Sequence, residues 1–193
     1  MSDRKIAESS FSHVINAPIE RVDIADWLFH LSDAEYQRCA PPDHIAVGVT
    51  TTDDGQPMSI NVETIGANLM VQHYVGEVTE PGHCRMVSIS DVFSPLGRST
   101  LQVVWDLSVE PLDAHSCEYI NHVTAFATDE FLVMINEHGI SLEQAAAADQ
   151  EASSAHNEKE TPRYAKSIER RALAPGTNTS RALGDAQASS RAR

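Results

Sequence analysis

The chain predicts an α+β fold: a seven-stranded antiparallel sheet, two short helices after its first strand, and a long C-terminal helix. Three observations carry this. Runs with strand-like alternation lie at about 44–52, 57–65, 69–78, 83–93, 100–110 and 116–127, with no helical period between them. The connectors are short and rich in turn formers, such as Asp53-Asp54-Gly55, Gly66-Ala67-Asn68, Pro81-Gly82 and Ser94-Pro95-Leu96-Gly97, so consecutive strands pair as antiparallel neighbours. Residues 128–173 then read as almost uninterrupted helix.

In the first strand Phe11, His13 and Ile15 alternate with Ser12, Val14 and Asn16. Ala17-Pro18 ends it and opens a helix, with Ile19 and Val22 on one face and Trp27, Leu28 and Phe29 following. Ser32 with Glu35 three residues on is a capping box for a second short helix, which carries Tyr36 and is broken at Pro41-Pro42. In the meander, Leu101, Val103, Trp105, Leu107 and Val109 oppose Thr100, Gln102, Asp106 and Ser108, so the Trp105 face turns inward. By the same rule Met58, Ile60 and Val62 turn inward, as do Leu69, Val71, His73 and Val75 on the next strand. Two further rows fit either face: Cys84, Met86, Ser88, Ser90 and Val92, and Cys117, Tyr119, Asn121, Val123 and Ala125. Turned inward, they scatter Ser88, Ser90, Tyr119 and Asn121 through an apolar concave surface; a shift of one residue puts them in solvent.

The C-terminal helix reads as three pieces. Phe131, Leu132 and Ile135 recur at helical spacing until Gly139 stops them. Ser141 with Gln144 is a capping box that restarts the helix, and Thr161-Pro162 is a third start, followed by Tyr164, Ile168 and Ala172 on one face. Between Glu143 and Glu160 every apolar side chain is Ala. Such a segment favours helix but buries little area, so it either lies on the surface or roofs a space that something else fills.

Length and composition bound the rest. The 193 residues, 41% apolar, suit a single domain at 10–173 with a flexible segment at 1–9 and a disordered tail at 174–193. No apolar run approaches the ~20 residues of a membrane span, and the first residues lack the apolar core of a secretion signal, so the expected location is the cytoplasm without membrane insertion. The cysteines Cys39, Cys84 and Cys117 are widely spaced, which argues against a disulfide framework or a structural zinc site. A net charge of −14 repels phosphate backbones and argues against nucleic acid as a partner.

The order of elements, with the opening Phe11-Ser12-His13-Val14-Ile15-Asn16-Ala17-Pro18-Ile19-Glu20-Arg21-Val22, resembles the START and birch-pollen-allergen (SRPBCC) superfamily over residues 10 to 173. The resemblance implies a helix-grip fold, in which a curved sheet wraps the C-terminal helix around a hydrophobic cavity. That is one use for an alanine-faced helix. The superfamily spans lipid and hormone binders, polyketide cyclases, coenzyme Q-binding proteins and oxygenase domains, so the resemblance does not fix a reaction.

General acid/base chemistry in an apolar cavity needs only one or two polar groups, and His73, Tyr119 and Asn121 are the candidates. Glu63 and Asp91 rank lower because they fall on the expected outer face. Trp105, Met86, Val103, Ser88 and Ser90 are candidate ligand contacts, and Arg98, after Gly97, could reach a ligand carboxylate at the cavity mouth. Ser88, Ser90 or Cys84 beside His73 offers a nucleophile without an orienting third group or a nucleophile elbow. Asp43-His44, Asn121-His122 and the pair His156 and Glu160, one helical turn apart, do not form a recognised metal motif, so no metal and no cofactor are expected.

The expected function is binding of a small hydrophobic molecule, aromatic or polyketide-like, in a cavity between sheet and C-terminal helix. The alternatives are a metal-free acid/base enzyme of cyclase or dehydratase type on the same fold, and a protein-interaction module. The oligomeric state, a homodimer included, is left open.

Overall fold

The computed structural model describes residues 4–175. Alternation and turn chemistry produce β1 (Lys5–Ile15), β2 (His44–Thr51), β3 (Pro57–Ile65), β4 (Asn68–Glu80), β5 (His83–Ser94), β6 (Gly97–Pro111) and β7 (Cys117–Ala127). They form one sheet in the order β1-β7-β6-β5-β4-β3-β2, antiparallel throughout. The helices are a 3-10 turn at Ile19–Arg21, then α1 (Ile24–Phe29), α2 (Asp33–Cys39), α3 (Asp129–Glu137) and α4 (Leu142–Leu173). Asp23, Ser32, Thr128 and Ser141 cap α1 to α4, each accepting a backbone N–H with its side chain, and Ser141 with Gln144 completes a capping box. The result is the expected α+β arrangement, a seven-stranded sheet against a long C-terminal helix.

Two local expectations need correction. The first strand begins at Lys5, and Ile6 and Ala7 are buried, so part of the segment expected to be flexible belongs to the sheet, with Ala7 opposite Ala125. The expected tail lies, beyond Pro175, outside the described residues. The second correction concerns α4, which runs unbroken through Pro162. Proline withholds an N–H from the carbonyl of Glu158 and costs about 3 kcal/mol inside a helix. Tyr164 and Ile168 are both fully buried just beyond it. Burying each large side chain stabilises by roughly 1.5–3 kcal/mol, enough together to outweigh the break.

The apolar rows of β5, β6 and β7 turn inward: Cys84, Met86 and Val92, then Leu101, Val103, Trp105 and Leu107, then Cys117, Tyr119 and Ala125. In β3 and β4 the inward row is the opposite of the expected one. Ser59, Asn61 and Glu63 are buried on β3, and Met70, Gln72 and Tyr74 on β4, paired across the two strands as Ser59 with Tyr74, Asn61 with Gln72 and Glu63 with Met70. His73 therefore faces away from the interior.

The alanine segment of α4 lies against the β3–β4 turn. Gly66 there has φ +61°, and a Cβ on it would come within 3.0 Å of the Cβ of Ala152. Among the described residues no helix is long and apolar enough to cross a membrane.

Pro162→Ala restores the missing backbone donor while leaving the buried face of α4 intact. It should raise stability by roughly 1–2 kcal/mol, the helix gain being partly offset by greater freedom of the unfolded chain. Urea unfolding measures this, and an unchanged or lower midpoint would show that Pro162 fits its site without cost.

Candidate functional site

The interior carries a polar centre where β2, β3 and α4 meet. The ladder of β2 with β3 ends with His44 opposite Glu63, after a register shift between His44 and Ala46. His156 and Glu160 lie one turn apart on the inner face of α4. His44 Nε2 is 3.1 Å from both Glu63 Oε2 and Glu160 Oε2, and His156 Nε2 is 3.3 and 3.5 Å from the same two oxygens. All four residues are buried, and their ligating atoms lie within 4.8 Å of one another.

A second ring of contacts fixes these side chains. The Tyr36 hydroxyl donates to Glu63 Oε2 at 2.8 Å, and the Tyr36 carbonyl faces His44 Nδ1 at 2.8 Å. The Tyr36 ring stacks on His44 with centroids 3.9 Å apart. Trp105 Nε1 donates to Asn121 Oδ1 at 2.8 Å, and Asn121 Nδ2 donates to Glu160 Oε1 at 3.0 Å. Asp43 Oδ2 lies 3.5 Å from His156 Nδ1 and is paired with Lys159 at 2.8 Å. Asn157 ties α4 to the sheet by donating to the hydroxyl of Ser9 and the carbonyl of Asn121.

Charge at this centre is strongly coupled. Burial opposes protonation of both imidazoles, but the Glu160 and Glu63 carboxylates outweigh it, so His44 is pushed up to about 9 and His156 to about 11. Burial alone would raise the carboxyls; His156 and His44 instead hold Glu63 and Glu160 below the usual carboxylate range. Either protons or a metal ion can supply the positive charge that these donors require.

Three neighbouring spaces lie between the surface and this centre. An outer groove of about 430 Å³ lies between α3, α4 and the β5–β6 turn and is lined by Leu96, Phe131, Met134, Ile135, Ala145 and Ala148, among others. It shares Asn68 and Asp149 with an inner chamber of about 40 Å³ under Ala7, Met70, Leu101 and Val103. That chamber shares Ile65, Gln72, Val123 and Ser153 with a space of about 30 Å³ bounded by Glu63, Tyr74, Trp105, His156, Glu160 and Tyr164. The alanine segment roofs the groove, and Ser153, at its end, lines both inner spaces.

Of the residues singled out in the sequence, Asn121 touches the polar centre, Trp105 lines the space beside it, and Val103 lines the inner chamber. Tyr119 and Met86 are fully buried away from these spaces, and the Tyr119 hydroxyl has no hydrogen-bond partner. Ser88 and Ser90 are buried with their hydroxyls 3.0 Å apart, and Ser88 accepts the backbone N–H of His73, so no base faces them. His73, expected inside, faces outward on β4, because the alternate row, Met70, Gln72 and Tyr74, lines the interior. Arg98 is paired with Asp91 on an exposed surface at 2.6 Å, not at the groove. Glu63, expected on the outer face, lies inside, because its row (Ser59, Asn61, Glu63) is a polar lining of the interior.

Trp105→Phe removes the donor to Asn121 and leaves a buried amide oxygen unpaired. A loss of about 2–3 kcal/mol is expected in urea unfolding. A loss well under 1 kcal/mol would show that this bond does not support the site.

No family model matches this sequence, and no curated protein matches it. Solved structures do resemble it. The Zhui aromatase/cyclase from Streptomyces sp. R1128 aligns with TM-score 0.62 at 12% identity, over 88% of this chain and 97% of that one. The di-domain aromatase/cyclase StfQ from the steffimycin biosynthetic pathway aligns with TM-score 0.52 at 12% identity, over 95% of this chain and 53% of that one. The di-domain BexL from the BE-7585A pathway aligns with TM-score 0.51 at 14% identity, over 88% and 51%. The chain thus spans about half the length of each di-domain protein. At these identities the likeness concerns architecture alone: the chain has a helix-grip fold, a seven-stranded antiparallel sheet against a long C-terminal helix.

Proposed function

We propose that the chain binds a small hydrophobic molecule, aromatic or polyketide-like, with its apolar body in the groove and an oxygen-bearing end directed along the inner chambers. One observation carries this reading: a groove of ligand size, about 430 Å³, walled mainly by apolar side chains, shares lining residues with an inner chamber, which in turn shares lining residues with the space at the polar centre. The inner spaces, at about 40 and 30 Å³, admit little more than a water or a single functional group. The body of the ligand therefore stays outside the neck formed near Asn68 and Asp149. Structural likeness to aromatase/cyclases supports an occupant of aromatic character.

A second reading is catalysis of cyclase or dehydratase type. It is favoured by the inner space ending on Glu63, His156 and Glu160, since a closed apolar pocket would suffice for binding alone.

Native mass spectrometry of the purified protein, with an apolar fluorescent probe in solution, tests the binding reading. Ala148 lines the groove and is exposed, so Ala148→Phe should fill space without overpacking a core. The melting temperature should move by no more than about a degree or two, and probe affinity should fall at least about tenfold. Undiminished probe binding in this variant would contradict the placement.

Asp149 stands at the neck, and burial pushes its carboxyl up to about 6. A folded-state value above the unfolded one of about 3.9 means that the group favours the fold when protonated, and that this contribution is lost as pH rises through about 6. Asp149→Asn should therefore match the parent near pH 4 and exceed it by about 1–2 kcal/mol above pH 7, allowing for partial exposure. Paired unfolding curves across this range check it; a constant difference would contradict the assignment.

A further inference from the structure

The polar centre gathers four metal-ligating side chains, and direct pairing leaves both ring nitrogens of His156 without a hydrogen bond. Nε2 of His44, Nε2 of His156, Oε2 of Glu63 and Oε2 of Glu160 give four nitrogen–oxygen separations of 3.1, 3.1, 3.3 and 3.5 Å. A tetrahedral zinc ion with bonds of about 2.0–2.2 Å sets its ligand atoms roughly 3.3–3.6 Å apart. The four nitrogen–oxygen separations are thus close to those such an ion sets, and all four donor atoms, from three different elements, lie within 4.8 Å of one another.

Two further observations point to an occupant. His156 is 8% exposed, yet neither ring nitrogen makes a hydrogen bond: its contacts with the carboxylates are close but not aligned. His44 Nδ1 faces the Tyr36 carbonyl, which can only accept, so the ring proton belongs on Nδ1. Nε2 then meets two carboxylate oxygens at 3.1 Å, and either a second ring proton or a bound cation must bridge them. A carbonyl holding the remote nitrogen of a histidine, and donors holding the ligating carboxylates, are the usual supports of a metal site. Tyr36 and Asn121 supply those donors.

We infer that His44, Glu63, His156 and Glu160 bind a single divalent transition-metal ion. Zinc suits the imidazole–carboxylate donor set and the nitrogen–oxygen separations. Two carboxylates and a divalent ion are neutral together, which suits a buried site. Glu63, His156 and Glu160 also line the space of about 30 Å³, so one side of the ion faces room for a water or a ligand oxygen. The site stands whether or not the groove holds a hydrophobic molecule.

The test uses the full-length protein stripped with a chelator and titrated with Co²⁺, a spectroscopic stand-in for zinc, followed by displacement with Zn²⁺. One equivalent of Co²⁺ should bind with the visible absorption of a four- or five-coordinate ion, and Zn²⁺ should abolish that absorption. Glu63→Gln and His156→Gln, checked for folding by circular dichroism, should each weaken affinity at least about a hundredfold. Asn121→Ser keeps all four donors and should weaken it about 10- to 100-fold. It serves as the readout should either ligand variant fail to fold. Absence of Co²⁺ and Zn²⁺ binding to the folded, stripped protein would overturn the inference. So would unchanged affinity in the folded variants, which would place any bound ion elsewhere.

Discussion

Two carboxylates buried between sheet and helix constrain this structure more than any other feature. The side chains of Glu63 and Glu160 are only 8% and 7% exposed. Taking an ionised carboxylate out of water costs several kcal/mol even after relaxation, and the cost is recovered only with a close cation and satisfied lone pairs. His44 and His156 stand where the cation must be, and Tyr36 and Asn121 donate to the oxygens. Through these partners α2, β2, β3, β7 and α4 all have a stake in the same few ångströms. A charge left unpaired there would weaken contacts between elements far apart in the chain.

The layout of the interior follows from that centre. On one side lies a conventional core of Ile15, Ile24, Trp27, Leu28, Tyr164 and Ile168, with the Trp27 indole donating to Ser167 on α4. On the other side α4 carries mostly alanine, and the sheet below it is apolar along β6 but does not reach the helix everywhere. What remains is the groove and the chambers behind it. A helix with bulky side chains at those positions would have packed the space shut. The alanine composition thus links sequence to cavity through side-chain volume, while helix propensity keeps the segment helical without core packing.

Much of the architecture was legible in the sequence because it rests on local rules. Turn residues between alternating runs fixed the strand order, and Ser32, Thr128 and Ser141 sit where capping rules place helix starts. Thr161-Pro162 misled because it carries the local signature of a helix start, while the burial of Tyr164 and Ile168, a tertiary effect, carries α4 through it. The site was legible only in pieces. His156 and Glu160 stand out one turn apart, and Asp43-His44 opens a strand, but their meeting with Glu63 depends on pairing across the chain. Applied to β3 and β4, the alternation rule turned Met58, Ile60 and Val62 inward and His73 with them. The real inner row is Ser59, Asn61 and Glu63, because binary patterning gives way where a polar site must be lined.

The account turns on what neutralises Glu63 and Glu160. Anomalous diffraction at the zinc absorption edge, from crystals of the full chain grown with zinc present, tests this most directly. The account predicts one strong peak about 2 Å from His44 Nε2, His156 Nε2 and an oxygen of each glutamate. A map with no peak there, and with the four side chains bonded directly to one another, would contradict it.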